Sequence, residues 1–190
     1  MTNIYQIITG ASAGIALILG TVGTAQAQNI ITNGSFEMPT LPGGQYTGSG
    51  TTSIPGWNLD INSTGTFIEV QNNAVGSAKQ GSQLLELDSD GVTGIYQDLN
   101  TVPGQTYILQ FAFSPRPGVR QNRLNITWGG NPVATLTADG AGLSNTQWTV
   151  YTYSLVANST TTRLEFDNFN EYSNALGTLI DAVSVTCTCQ

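Results

Sequence analysis

Two carboxylates stand where a carboxylate is costly. Asp181 falls on the face of the last alternating segment that otherwise carries Leu179, Val183 and Val185, and Glu37 directly follows Phe36, a core-type residue. Burying an ionised carboxylate without a partner is expensive, and no Lys or Arg lies near either residue in sequence. A calcium ion would satisfy both, since it takes about six to eight hard oxygen ligands, many of them backbone carbonyls. The alternative is that Asp181 bonds backbone amides or caps a turn while Glu37 is solvated. A basic group comes next: Arg116, Arg120 and Arg123 cluster around Pro115 and Pro117, where a strand must bend or end. Arginine favours planar, forked recognition, so the cluster suits a carboxylated or sulfated ligand. Arg116 could equally pair with Glu86 or Asp88. Finally, Glu69, Glu86 and Asp88 could supply the two carboxylates, about 5–10 Å apart, that glycoside hydrolysis needs. Nothing in their local sequence marks one as the acid.

The rest of the composition narrows this chemistry. The 190 residues include 12 Asp+Glu, 5 Lys+Arg and no histidine, for a net charge of −7. Ser-His-Asp and Cys-His catalysis and His-ligated zinc are thereby excluded. A pI near 4.1 and five scattered bases argue against nucleic-acid binding. Only 9% of residues are charged, against about 25% in an ordinary globular domain.

The elements that must position these groups read as strands. Tyr107, Leu109, Phe111 and Phe113 share one face of a segment; Leu124, Ile126 and Trp128 share one face of the next. Trp148 and Val150 begin another, running to Val156, so Trp128 and Trp148 both read as core. Leu164 and Phe166 alternate with Arg163, Glu165 and Asp167. Period two with Gly, Pro, Asn and Asp between segments is the pattern of antiparallel strands. About ten strands in two layers give an all-β fold, a two-layer antiparallel β-sandwich of jelly-roll type. Residues 40–52 and 140–146 read as loops, and no repeat or linker interrupts the chain.

Residues 7–22 form an uncharged apolar run, followed by Ala25-Gln26-Ala27, a small-x-small site for signal peptidase. We therefore expect a signal peptide over residues 1–27 and a single domain over 28–190. The location is then secreted, extracellular or periplasmic, with no membrane anchor after cleavage. The leader departs from the usual pattern in having no Lys or Arg before its apolar run. The two cysteines, Cys187 and Cys189, would share one face of a strand with Cα atoms near the upper limit for a disulfide, so a bridge between them would be strained. They read as a frayed pair, oxidised outside the cell or joined to another chain.

Five motifs in order then point to a family. Asn33-Gly34-Ser35-Phe36-Glu37 ends an opening motif that starts at Asn29. Ile54-Pro55-Gly56-Trp57 follows. After it come Gly81-Ser82-Gln83-Leu84-Leu85-Glu86-Leu87-Asp88 with Gln97, then Pro103-Gly104-Gln105-Thr106-Tyr107. Leu179-Ile180-Asp181-Ala182-Val183 closes the series. Over residues 29–186 this order resembles the galactose-binding-like jelly rolls. These comprise secreted carbohydrate-binding modules and a related uncharacterised family of plant cell-wall proteins, bacterial exoproteins and adhesin modules. The resemblance implies a non-catalytic protein that binds a glycan, such as a cell-wall polysaccharide or exopolysaccharide. It also implies a structural calcium between the first and last strands, held by the side chains of Glu37 and Asp181. Carbonyls of Ser35 and of Lys79–Gln80 would complete that site. Sugar binding uses aromatic faces and planar polar groups, for which Trp57, Tyr96, Glu69, Gln71, Asn72 and Arg116 are the candidates. Trp57 could instead fill the core. An extracellular matrix or adhesion protein that binds protein partners is the first alternative, and a glycoside hydrolase the second.

Overall fold

The computed structural model describes residues 28–170 and 174–188. The expected leader, residues 1–27, and Cys189 lie outside the described residues. Eleven strands follow one another with no helix among the described residues. They are β1 (Ser53–Ile54), β2 (Trp57–Leu59), β3 (Glu69–Asn72), β4 (Gln83–Glu86), β5 (Gly94–Asn100) and β6 (Thr106–Ser114), then β7 (Asn122–Trp128), β8 (Asn131–Ala138), β9 (Thr149–Val156), β10 (Thr161–Asn168) and β11 (Leu179–Cys187). One sheet has six strands in the order β1-β2-β5-β10-β7-β8, and the other has five in the order β3-β4-β11-β6-β9. The pairs are antiparallel throughout. The sandwich expected from the alternation is therefore the fold.

The inner faces carry the alternating apolar residues. Leu109, Phe111 and Phe113 of β6 meet Leu124 and Ile126 of β7 and Leu164 and Phe166 of β10 in one core. Trp57, Phe36 and Phe166 form its aromatic centre, with ring centroids 5.6 and 6.1 Å apart. Such pairs add about 0.5–1.5 kcal/mol each beyond the area they bury.

Two faces differ from expectation. In β11 the register against β6 slips between Asp181 and Ser184, where Ala182 adopts φ 52°. This β-bulge inserts one extra residue and resets the alternation. Ile180, Val183 and Val185 enter the core, while Leu179 and Asp181 face outward. Asp181 is nonetheless fully buried, because the segment after β3 folds back over it. In β9 the core side is Tyr151, Tyr153 and Leu155, not Val150. Trp148 precedes that strand and is not core: it is half-buried, and its Nε1 donates to the carbonyl of Ser77 at 2.9 Å.

The expected loop 40–52 also has structure. Gly44 N–H donates to the Asn72 carbonyl, Asn72 N–H to that of Gln45, and Thr47 N–H to that of Val70. Tyr46 and Gln71 form an isolated antiparallel bridge. Residues 44–47 thus lie along β3 and cover an edge that would otherwise present unpaired backbone groups.

Candidate functional site

The motif residues lock the two chain ends of the fold together. A Cβ on Gly34 would lie 2.0 Å from the Val183 carbonyl oxygen, and Val183 N–H donates to the Gly34 carbonyl at 2.8 Å. Only glycine allows that approach to the bulge. Trp57 Nε1 donates to the Asn33 carbonyl, and Gln97 both donates to and accepts from the backbone of Thr32. Gln83 Nε2 donates to the carbonyls of Phe36 and Pro39. Asn72 belongs to the same scaffold, donating to the Leu41 carbonyl at 2.7 Å.

Glu37 and Asp181 grip one short segment between them. Asp181 Oδ2 accepts from the N–H groups of Lys79 (2.7 Å) and Gln80 (2.9 Å), and its Oδ1 from that of Ala182 (2.6 Å). Glu37 Oε1 accepts from the N–H groups of Ser82 and Gln83, and its Oε2 from the Ser82 hydroxyl. Gly81 sits between, at φ 73°, where a Cβ would come within 2.3 Å of Glu37 Oε1. Burial pushes the Asp181 carboxyl up to about 7; its three backbone donors oppose the shift, and the nearby charge of Glu37 adds to it. The two carboxylates therefore feel each other. Among the described residues no hydrogen bond engages the carbonyl oxygens of Ser35 or Gln80. Asp181 therefore bonds backbone amides, one of the two outcomes the sequence left open, and Glu37 is bound by backbone amides and a hydroxyl; Asp181 Oδ1 and Glu37 Oε2 each accept from one donor.

A second constellation occupies the outer face of the five-stranded sheet. Glu69 of β3 stands directly opposite Glu86 of β4. Gln71 joins them: its Nε2 donates to Glu69 Oε1 at 2.7 Å and also to Glu86 Oε2. Arg116 Nη1 donates to Glu86 Oε1, which also accepts from Gly177 N–H at 2.6 Å. Arg116 is anchored in turn by its own N–H donating to Asn122 Oδ1. Glu86 is fully buried, whereas the Arg116 side chain is 16% exposed. Burial drives the Glu86 carboxyl up to about 7; Arg116 opposes that and the charge of Glu69 adds to it. Burial likewise raises Glu69. Gln71 is 1% exposed, and its Oε1 has no hydrogen-bond partner. Glu69 and Arg116 are the half-buried groups that reach solvent here. The pairing of Arg116 with Glu86 was one of the two outcomes the sequence left open.

The family described as a protein of unknown function, DUF642, matches residues 29–186. The chain belongs to the DUF642 family. Halomucin of Haloquadratum walsbyi is 28% identical to this DUF642 chain over 181 residues, 91% of the chain; the chain spans 2% of halomucin's length. Among solved structures, the carbohydrate-binding module TmCBM61, in complex with beta-1,4-galactotriose, has a TM-score of 0.52 at 17% identity. That match covers 84% of this chain and 98% of the module. The arabinose-bound MgGH51 α-L-arabinofuranosidase has a TM-score of 0.53 at 12% identity, covering 85% of this chain and 27% of the enzyme. These likenesses establish the fold, a galactose-binding-like jelly roll.

The DUF642 fold brings Glu69, Gln71 and Arg116 together and separates the other expected sugar ligands from them. Trp57 is fully buried between Phe36 and Phe166, so it offers no face to a sugar; the core reading holds. Tyr96 lies on the outer face of the opposite sheet, paired with Asn58 and Glu165. Its ring is covered by the Arg163 guanidinium, 3.6 Å from the centroid, which is itself forked onto Asp98. The arginine cluster also divides. Arg120 and Arg123 line a cavity of about 560 Å³ with Asp139, while Arg116 turns to Glu86.

Sequence reasoning missed a third group of carboxylates. Asp60, Glu165 and Asp167 bring oxygens within 4.8 Å of one another on the six-stranded sheet. Burial and the charges of Glu165 and Asp60 push Asp167 up to about 7. Alternation marks Glu165 and Asp167 as one face, but Asp60 arrives from another strand end, which spacing does not reveal. Tyr46 was missed as well. It stands beside Gln71 but is surrounded by Gly and Thr, without the alternation that marks a strand.

Proposed function

We propose that this DUF642 protein is a secreted, non-catalytic glycan-binding protein. Its sugar site is the outer face of the five-stranded sheet around Glu69, Gln71 and Arg116. The carrying observation is the Arg116–Glu86–Gln71–Glu69 network. It fixes a guanidinium and a carboxylate at the surface before any ligand arrives, so little side-chain entropy is lost on binding. Sugar hydroxyls both donate and accept, which suits Glu69 as acceptor and Arg116 as donor. The TmCBM61 fold supports the same reading, with a cell-wall polysaccharide or exopolysaccharide as partner. Both oxygens of Glu86 are engaged away from solvent, which disfavours it as the acid of a hydrolytic pair.

Calcium is the proposed structural ion, held by Glu37 and Asp181 with the carbonyls of Ser35 and Gln80. Its contribution is charge: it would neutralise two carboxylates whose hydrogen bonds come from backbone N–H groups and the Ser82 hydroxyl. Secretion is supported by the leader pattern of residues 1–27. The sugar reading is tested with immobilised polysaccharides. Retention of the wild type and its loss in Glu69→Ala are expected; equal retention of the two would count against this site.

A further inference from the structure

We infer that Tyr46 is the stacking platform of this sugar site and that the site takes a neutral pyranose, not an acidic one. The inference rests on the glycan-binding reading above and adds a residue and a ligand class to it. Residues opposite each other in an antiparallel bridge project to the same face, about 4.5–5.5 Å apart at Cβ. Tyr46 is opposite Gln71, so its ring rises on the outer face beside the Glu69–Gln71–Glu86–Arg116 network.

Its backbone is held firmly. Asn72 N–H donates to the Gln45 carbonyl at 2.9 Å, and Thr47 N–H to the Val70 carbonyl at 2.9 Å. The buried Thr47 hydroxyl adds a bond to the Ile68 carbonyl at 2.6 Å and accepts from Val70 N–H at 2.8 Å. Yet the Tyr46 side chain is 59% exposed. A large aromatic ring on a fixed backbone, left open to water, is a surface without an internal purpose. Among the described residues the other ring left this open is Phe169, on the six-stranded sheet side. Trp57, Tyr107 and Trp128 are core, Tyr96 lies under Arg163, and Trp148 is tied to Ser77.

The polar groups beside Tyr46 still have capacity. Among the described residues, Nε and Nη2 of Arg116 have no hydrogen-bond partner, and neither does Oε1 of Gln71. A pyranose laid on the ring would turn its hydroxyls toward them, with C–H bonds against the ring face. The charge of the site selects against acids. Glu69 and Glu86 stand directly opposite each other here, and the charge of Asp88 acts on Glu69, against the guanidinium of Arg116. That guanidinium is already paired with Glu86. A uronic acid or sulfate would meet net negative charge.

The test is affinity electrophoresis of the purified protein through gels containing neutral polymers (galactan, xylan, glucomannan) or polygalacturonate. Wild type should be retarded by at least one neutral polymer and not by polygalacturonate. Tyr46→Ala and Tyr46→Leu should each weaken that retardation about tenfold, as truncation of an aromatic anchor does. Tyr46→Phe should retain it, and all three should melt at the wild-type temperature. Neutral-polymer binding that survives both Tyr46→Ala and Tyr46→Leu overturns the platform while leaving the glycan reading intact. Stronger retention by polygalacturonate overturns the neutral class. Absence of retardation by any polymer overturns the glycan reading and this inference with it.

Discussion

At the scale of single residues, Asp181 and Arg116 divide the work of structure and binding less cleanly than their types imply. Asp181 accepts three backbone N–H groups in a buried place. Asp181→Ala would strand those donors, and a buried donor without a partner costs about 1–3 kcal/mol. A loss of roughly 2–4 kcal/mol in chemical denaturation is expected, together with loss of any calcium response. Arg116→Ala should weaken sugar binding and also destabilise the fold, because it leaves Glu86 fully buried without its counter-charge. Removing one partner of a buried pair costs roughly 3–5 kcal/mol where the other stays ionised. With the Glu86 carboxyl at about 7, the destabilisation should be large at pH 8 and small at pH 5. Urea melts at the two pH values check this; an equal loss at both would show that the ion pair is not the cause.

At the scale of elements, the β11 bulge decides the candidate sites. Alternation alone gave the inner faces of β6, β7 and β10 correctly, since the extra residue at each slip in their pairing lies on the partner strand, on β11 opposite β6 and on β8 opposite β7. It put Asp181 on the wrong face because period two cannot show an inserted residue. Ala182 has no sequence mark of a left-handed conformation, unlike a glycine. Residues 44–47 were illegible as an edge segment for a related reason: a short strand that covers an edge need not alternate. The motif residues were legible as a set, and the structure gives their physical reason. They knit the opening segment to the bulge, and Gly34 is the tightest point. Gly34→Ala places a methyl against the Val183 carbonyl and should cost about 1–3 kcal/mol or more through overpacking. Thermal unfolding of the variant checks this; wild-type stability would mean that the contact relaxes freely.

At the scale of the whole molecule, charge and protonation set the conditions under which the protein is stable. Glu86, Asp167 and Asp181 are each raised to about 7. A carboxyl with a raised folded pKa keeps its proton in the fold after the unfolded chain has released it. Stability should therefore fall as pH rises from the ordinary carboxylate range to about 7. Calcium should flatten the part of this slope that belongs to Asp181. In EDTA-treated protein at pH 7.5, added calcium should raise the melting temperature; a hundredfold excess over Kd is worth about 2.7 kcal/mol. No shift would remove calcium from the account and leave Glu37 and Asp181 as clamps for residues 79–83. The central claim is that the outer face of the five-stranded sheet holds a sugar. The most direct test is an NMR titration of ¹⁵N-labelled protein with neutral β-1,4-linked galacto-, xylo- and gluco-oligosaccharides. The account predicts shifts with at least one of them at Tyr46, Glu69, the Gln71 side-chain amide and Arg116 Nε. Shifts confined to the Arg120–Arg123 cavity or to the Asp60–Asp167 side, or no shifts with any of the sugars, would contradict it.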